Sequence, residues 1–223
     1  FVQRAKDVNE ARKLAKGRTS ILSKIEKPSA VTDFNSILEV SDGIMIARGD
    51  LGVEMPVQAI PPIQKRLVMA CRHVAKPVIV ATQMMESMIT NSSPTRAEVN
   101  DVANAVLDGA DAVMLSGETS VGKYPIQVIQ TMANIINKME THEDLYYKEE
   151  IPAKNQTRFI TDSICFNACL LSRQVEAKAI LTMSFTGYTA YKIASQRPNS
   201  LIYVFTSNRQ ILTQLSLIWG VRG

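Results

Sequence analysis

Two rhythms of apolar positions run through this chain. A strand reads over Thr19 to Ile25, and short solid apolar blocks stand at Ile44-Met45-Ile46, at Val78-Ile79-Val80-Ala81 and at Ala112-Val113-Met114-Leu115. Blocks of that length predict strands buried on both faces. Between them, apolar residues recur every three or four positions, the helical period. Ala5, Val8, Ala11 and Ala15 mark a helix over 4–16 with Gly17 as its C-cap, and Val31, Phe34, Ile37, Leu38 and Val40 mark a short one. Pro61-Pro62 open a helix through Ile63, Leu67, Met69, Ala70 and Val74, as prolines do in a first turn. The hydroxyls around Ser93-Pro94-Thr95 suit the N-cap of a helix through Val99, Val102, Ala103 and Val106, ending at Asp108-Gly109. Pro125 starts the last helix of this half, with Ile126, Ile129, Met132, Ile136 and Met139 on its predicted buried face.

Strand, polar turn and helix thus repeat four times with short connections, the pattern of parallel strands with crossover helices. Four strands do not close an eight-stranded barrel, so either half of a barrel is missing or the sheet is open. Residues 141–160 are charged, contain Pro152, lack a hydrophobic period and read as a linker between domains 1–140 and 161–223. Beyond it come a helix over 161–174, a strand at 179–183, the turn Ser184 to Thr189, a helix through Ala194, a strand at 201–205 and a helix from Gln210. The chain opens without Met inside an apparent element and stops at Gly223, early for an α/β domain, so both ends are expected to be cut.

Composition narrows the picture by exclusion. No apolar run approaches the ~20 residues of a membrane span, and Phe1-Val2-Gln3-Arg4 has no signal-peptide layout. The three cysteines, Cys71, Cys165 and Cys169, lack paired or metal-ligand spacing and read as buried reduced thiols of a cytoplasmic protein. A net charge of +4, spread among acids, with few aromatics, gives no nucleic-acid footprint but suits anionic metabolites.

Candidate chemistry gathers where the strands end. Gly43 to Gly52 runs from strand into Arg48-Gly49-Asp50-Leu51-Gly52, a turn with a cation, a carboxylate and close-approach glycines. Lys24 and Glu26 end the preceding strand, Thr82 and Gln83 the next, Ser116 and Glu118 the fourth. Parallel strands bring these ends to one rim, where such sheets and barrels bind ligands. Glu26 and Asp50 are placed to share a hard divalent cation, which takes one or two carboxylates and fills its shell from water and substrate. Lys24, two residues before Glu26, projects to the same face and suits charge on a phosphoryl group or an enolate. Taken singly, each residue also has a structural explanation. Lys24 and Glu26 match a solvated strand end, Asp50 a helix N-cap, Thr82 a turn cap, and Ser116 with Glu118 a capping pair. The coincidence of four such ends favours a site. His73 and His142 fall at no strand end and carry no assigned chemistry.

These segments resemble pyruvate kinase. Ser23 to Glu26, Gly43 to Gly52, Ala81 to Met84, Pro94 to Glu98 and Ser116 to Thr119 match hallmark segments of that family in order and spacing over essentially the whole chain. The Ser184 to Ala190 turn resembles the phosphate loop of the family's C-terminal domain, with Arg197-Pro198 following. The resemblance implies the last four units of a (β/α)8 TIM-type barrel, then an incomplete three-layer α/β domain. It implies glycolytic transfer of the phosphoryl group of phosphoenolpyruvate to ADP, giving pyruvate and ATP. By position, Lys24 would stabilise the transferring phosphoryl group, and Glu26 and Asp50 would hold Mg2+ (or Mn2+). Ala47, Arg48, Gly49 and Asp50 would surround the substrate carboxylate by backbone contact, and Thr82 would lie beside the enolate carbon. Ser116 and Glu118 would join a water-linked proton route. Arg96 would lie near a subunit contact of a homotetramer. Ser184, Thr186, Gly187 and Thr189 would form an effector phosphate loop for a sugar phosphate, with Phe185 and Tyr188 at variable positions. The family's first three strands and lid domain are not in this sequence; they carry the K+ ligands and most ADP contacts, so the chain alone is expected to be inactive. Two other readings use the same residues: a Mg2+-dependent barrel lyase acting through a pyruvate enolate, and a non-catalytic phosphate-binding or assembly module.

Overall fold

A computed structural model describes residues 2–155 and 157–223. The chain divides into two compact units, Phe1–Thr141 and His142–Gly223. In the first, four strands lie in one parallel sheet in chain order: β1 (Leu22–Ile25), β2 (Gly43–Ala47), β3 (Val78–Ala81) and β4 (Ala112–Met114). Helix α1 (Ala5–Ala15) precedes β1, α2 (Pro28–Thr32) and α3 (Phe34–Val40) join β1 to β2, and α4 (Arg48–Glu54) and α5 (Ile60–His73) join β2 to β3. Helix α6 (Arg96–Asp108) joins β3 to β4, and α7 (Gly117–Ser120) and α8 (Pro125–Met139) follow β4. Burial on both faces holds for β3, buried at every position, and for β2 except at Met45, whereas β1 alternates and β4 is half-buried throughout. Ile44, Ile46, Val78 and Val80 are fully buried, packed with Leu67 and Val68 of α5 and Val102 and Ala105 of α6. Gly43 is needed for this packing. A Cβ there would meet Leu22 Cδ1 at 2.6 Å and Pro77 Cγ at 3.0 Å.

Register sets the rim. Ile25 pairs with Ile46, Ala47 with Ala81, and Ala81 with Met114, so Glu26, Arg48, Thr82 and Leu115 all lie just past paired strand ends.

Some elements differ from expectation. Helix α1 enters its left-handed turn at Lys16 (φ 52°), one residue before Gly17. The single helix expected from Val31 to Val40 is two, meeting at Asp33. The Arg48 turn is already the first turn of α4, with Asp50 its third residue; the N-cap position is Ala47, whose side chain makes no cap bond. On α8 the buried positions are Val128 and Met132, whereas Ile126 and Ile129 are exposed. Thr95 does cap α6 as its sequence suggests, accepting from the Glu98 N–H at 3.2 Å.

The second unit holds a parallel sheet of β5 (Ala179–Met183), β6 (Leu201–Phe205) and β7 (Val221–Arg222), with α9 (Phe159–Gln174), α10 (Tyr188–Ser195) and α11 (Arg209–Leu215). The segment read as a linker is bonded into this unit. The Tyr147 N–H donates to Arg197 O at 2.9 Å and the Lys148 N–H to Gln196 O at 3.1 Å. Arg197 is itself buried, its guanidinium 5.0 Å from the ring centre of Trp219, which lies 5.9 Å from the Tyr146 ring. Cys71, Cys165 and Cys169 are free and buried, and burial raises each thiol, Cys165 to about 11. Among the described residues no helix is long and apolar enough to cross a membrane.

Candidate active site

Lys24 projects from β1 toward two carboxylates. Its Nζ lies 2.5 Å from Glu26 Oε2 and 2.9 Å from Asp50 Oδ2. Glu26 follows β1 and is buried, while Asp50 stands on the first turn of α4 with its side chain half exposed. Two carboxylate oxygens in contact with one nitrogen are within reach of a single ion. The electrostatics follow from the pairing: Glu26 and then Asp50 raise Lys24, and the Lys24 ammonium lowers Glu26. Among the described residues no group of three or more His, Cys, Asp or Glu side chains is arranged for a metal. A two-carboxylate set nevertheless fits a cation that keeps water and substrate oxygens as its other ligands, as Mg2+ does.

The next strand end is held in an unusual conformation. Thr82 (φ 69°) and Gln83 (φ 54°) both occupy the left-handed region, which costs a β-branched residue on the order of 1–3 kcal/mol. Thr82 Oγ1 accepts from the Gly49 N–H at 2.7 Å and donates to Ala81 O at 2.7 Å. These bonds join two strand ends, whereas Thr82 taken singly reads only as a cap on the turn after its own strand. Glycine at 49 eases the approach, because a Cβ would stand 3.2 Å from Thr82 Oγ1 and push that hydroxyl back by a few tenths of an ångström.

Arg48 does not reach Glu26 or Asp50. Its Nη1 donates to Asp101 Oδ1 at 2.6 Å and Gln64 Oε1 at 3.3 Å, and its Nη2 to Thr82 O at 3.0 Å, Gln83 O at 3.4 Å and Met84 Sδ at 2.8 Å. Its backbone lies at the start of α4 beside Ala47, Gly49 and Asp50. Sequence reasoning missed Gln64 and Asp101. Both sit at polar positions of ordinary-looking amphipathic helices, and no motif marks a partner 53 residues from Arg48.

At the fourth strand end Glu118 is buried. It accepts from the Ser116 N–H at 2.7 Å and the Met85 N–H at 3.3 Å, tying this turn to the loop that begins at Thr82. Only half of a capping pair is formed: Glu118 accepts from the Ser116 N–H, while the Ser116 side chain makes no cap bond. In the second unit Ser184, Thr186, Gly187 and Thr189 follow β5 into α10, where Gly187 (φ 79°) starts the helix. Thr182 Oγ1 donates to Thr189 Oγ1 at 3.3 Å, and the Ser184 N–H donates to Phe205 O at 3.1 Å. Met183, Ser184, Phe185, Phe205, Thr206 and Ser207 line an open cleft of about 500 Å³ there. Tyr188 turns inward, its hydroxyl donating to Asp162 Oδ1 at 2.6 Å.

Cation, carboxylate and hydroxyl groups thus gather on one strand-end rim, where α/β folds of this class keep their ligand sites. Comparison with known proteins is specific. Residues 1–129 match the family model "Pyruvate kinase, barrel domain" and residues 162–223 the model "Pyruvate kinase, alpha/beta domain". The chain belongs to the pyruvate kinase family. It is 44% identical over 222 residues to a pyruvate kinase of Methylorubrum extorquens, covering 99% of this chain and 46% of that protein. The pyruvate kinase of Corynebacterium glutamicum is 46% identical over 203 residues, covering 91% of this chain and 42% of that protein. The crystal structure of a pyruvate kinase from Cryptosporidium parvum superposes with a TM-score of 0.91 at 38% identity, covering 100% of this chain and 47% of that one. The chain thus spans less than half the length of these relatives.

Proposed function

We propose that this chain supplies one half of the active site of a pyruvate kinase, a cytoplasmic glycolytic enzyme that transfers the phosphoryl group of phosphoenolpyruvate to ADP, giving pyruvate and ATP. The observation that carries the reading is the meeting of Lys24, Glu26 and Asp50 at one point on the strand-end rim of a family member. Glu26 and Asp50 hold Mg2+ or Mn2+, which when bound supplies charge stabilisation to substrate oxygens. Lys24 holds charge on the transferring phosphoryl group. The backbone from Ala47 to Asp50 surrounds the substrate carboxylate. Thr82 lies beside the reacting carbon, with its Oγ1 anchored by the Gly49 N–H. Ser116 and Glu118 belong to the proton route to that carbon, with Glu118 fixed by two amides. K+, a homotetramer and sugar-phosphate control through Ser184, Thr186, Gly187 and Thr189 complete the proposal.

Two measurements test it. Mn2+ binding by the chain, followed by electron paramagnetic resonance, is expected to vanish in the Glu26→Gln/Asp50→Asn variant; undiminished binding would refute the metal assignment. In a polypeptide of the relatives' length, Lys24→Met is expected to lose most turnover, by a hundredfold or more on the order of a removed transition-state contact. Unchanged turnover would leave a non-catalytic role.

A further inference from the structure

The left-handed turn at Thr82–Gln83 does not hold itself. Thr82 and Gln83 carry positive φ without glycine's freedom, so surrounding contacts must overdetermine the conformation. The Thr82 hydroxyl is held by the Gly49 N–H and Ala81 O, and both turn carbonyls are held by one guanidinium. Arg48 Nη2 receives both turn carbonyls, Thr82 O at 3.0 Å and Gln83 O at 3.4 Å, and the adjoining Met84 Sδ at 2.8 Å. Its other end is fixed from two helices. Asp101 of α6 accepts from Nη1 at 2.6 Å, and Gln64 of α5, buried and itself donating to Asp108 Oδ2 at 3.0 Å, accepts at 3.3 Å. The Arg48 side chain is only 10% exposed. Among the described residues, both terminal nitrogens of this planar fork are paired while its buried Nε is not, and its charge-assisted bond to the Asp101 carboxylate is the strongest hold on its direction.

We propose that Asp101 is a positioning residue. By clamping Arg48 it holds the Thr82–Gln83 turn left-handed, and so aims Thr82 Oγ1 at the Gly49 N–H and the substrate position. This rests on the kinase reading for its catalytic consequence but not for its structural one. Asp101 touches no proposed substrate or metal position. It acts from the outer helix through Arg48, across the strand ends, on one hydroxyl.

The test separates the two layers. Amide hydrogen exchange in the 223-residue chain is compared between the unaltered protein and Asp101→Asn. The Gly49 amide is expected to exchange about tenfold faster, while amides within β2 keep their protection. Unchanged Gly49 exchange would overturn the proposal, and so would a uniform rise at every amide, the mark of general destabilisation. In a polypeptide of the relatives' length, Asp101→Asn is expected to lower kcat about tenfold with little change in the KM for phosphoenolpyruvate, and Asp101→Glu to restore part of it. In a Thr82→Ala background the same change is expected to cost less than about twofold, because residues acting through one group do not add. Full multiplication of the two losses would overturn the proposal. Should the unaltered long polypeptide form no pyruvate, the kinase reading fails while the exchange result still decides the role of Asp101.

Discussion

Gly49 shows how tightly this site is drawn at the scale of a residue. Its N–H meets Thr82 Oγ1 at 2.7 Å, and an added methyl would sit 3.2 Å from the same oxygen. Gly49 also lies inside α4, where alanine is the better helix former by roughly 1 kcal/mol. The two effects oppose each other in stability but not in function. Gly49→Ala is therefore expected to melt within a few degrees of the unaltered protein while turnover, in a polypeptide of the relatives' length, falls about tenfold from a displaced hydroxyl. Calorimetry and a pyruvate assay check the two halves; equal losses in both would mean that the contact is only structural. Single residues were also where sequence carried least. Lys24, Glu26, Asp50 and Thr82 stand at strand ends, which position along the chain can indicate. The carboxylate that Arg48 chooses depends on how α5 and α6 pack, and nothing local encodes that.

Elements were more legible where their signals are chemical rather than periodic. The capping box of α6 is written in Thr95 and Glu98, and it is present with a further duty. Glu98 accepts from the Thr95 N–H at 2.7 Å and Thr95 Oγ1 at 2.8 Å, and from the Ser87 N–H at 2.7 Å and Ser87 Oγ at 2.5 Å. Burial opposes ionisation of Glu98, but these donors from Ser87 and Thr95 outweigh it, so the carboxyl titrates below its ordinary 4.5. A depressed carboxylate adds stability above its unfolded value and loses it as pH falls through the folded one. Removing the charge by Glu98→Gln is expected to cost about 1 kcal/mol at neutral pH and nothing at pH values below the folded titration, as read by thermal melts across the acid range. A cost that persists undiminished in acid would show that charge is not the source. Periodicity was a weaker guide. Helix α8 carries apolar residues on more of its surface than its neighbours cover, so spacing alone found the buried Met132 but also pointed to the exposed Ile126 and Ile129 and passed over the buried Val128. Helix α4 was hidden by its two glycines, whose low helix propensity is overridden by the tertiary contacts of Arg48 and Gly49.

At the scale of the whole molecule, the rim formed by β1 to β4 carries Lys24, Glu26, Asp50 and Thr82. The resemblance assigns most nucleotide contacts and the K+ ligands to other parts of the enzyme. The 223-residue chain is accordingly expected to give no pyruvate in a coupled assay with phosphoenolpyruvate, ADP, Mg2+ and K+. Turnover above background would contradict that division of labour. The α/β architecture followed from alternation of apolar blocks and amphipathic stretches. The bonding of residues 147–150 to Gln196 and Arg197 did not, because a charged, aperiodic stretch looks the same whether it swings free or lies pinned.

The pinning has a practical side. Trp219 is the only tryptophan in the chain, and it sits against Tyr146 and the Arg197 guanidinium. Ultraviolet emission excited at the indole band is thus a built-in lamp in the second unit alone. Its colour, and the emission it gains when tyrosine is excited instead at shorter wavelength, track whether the 142–150 strap is seated, with no label attached.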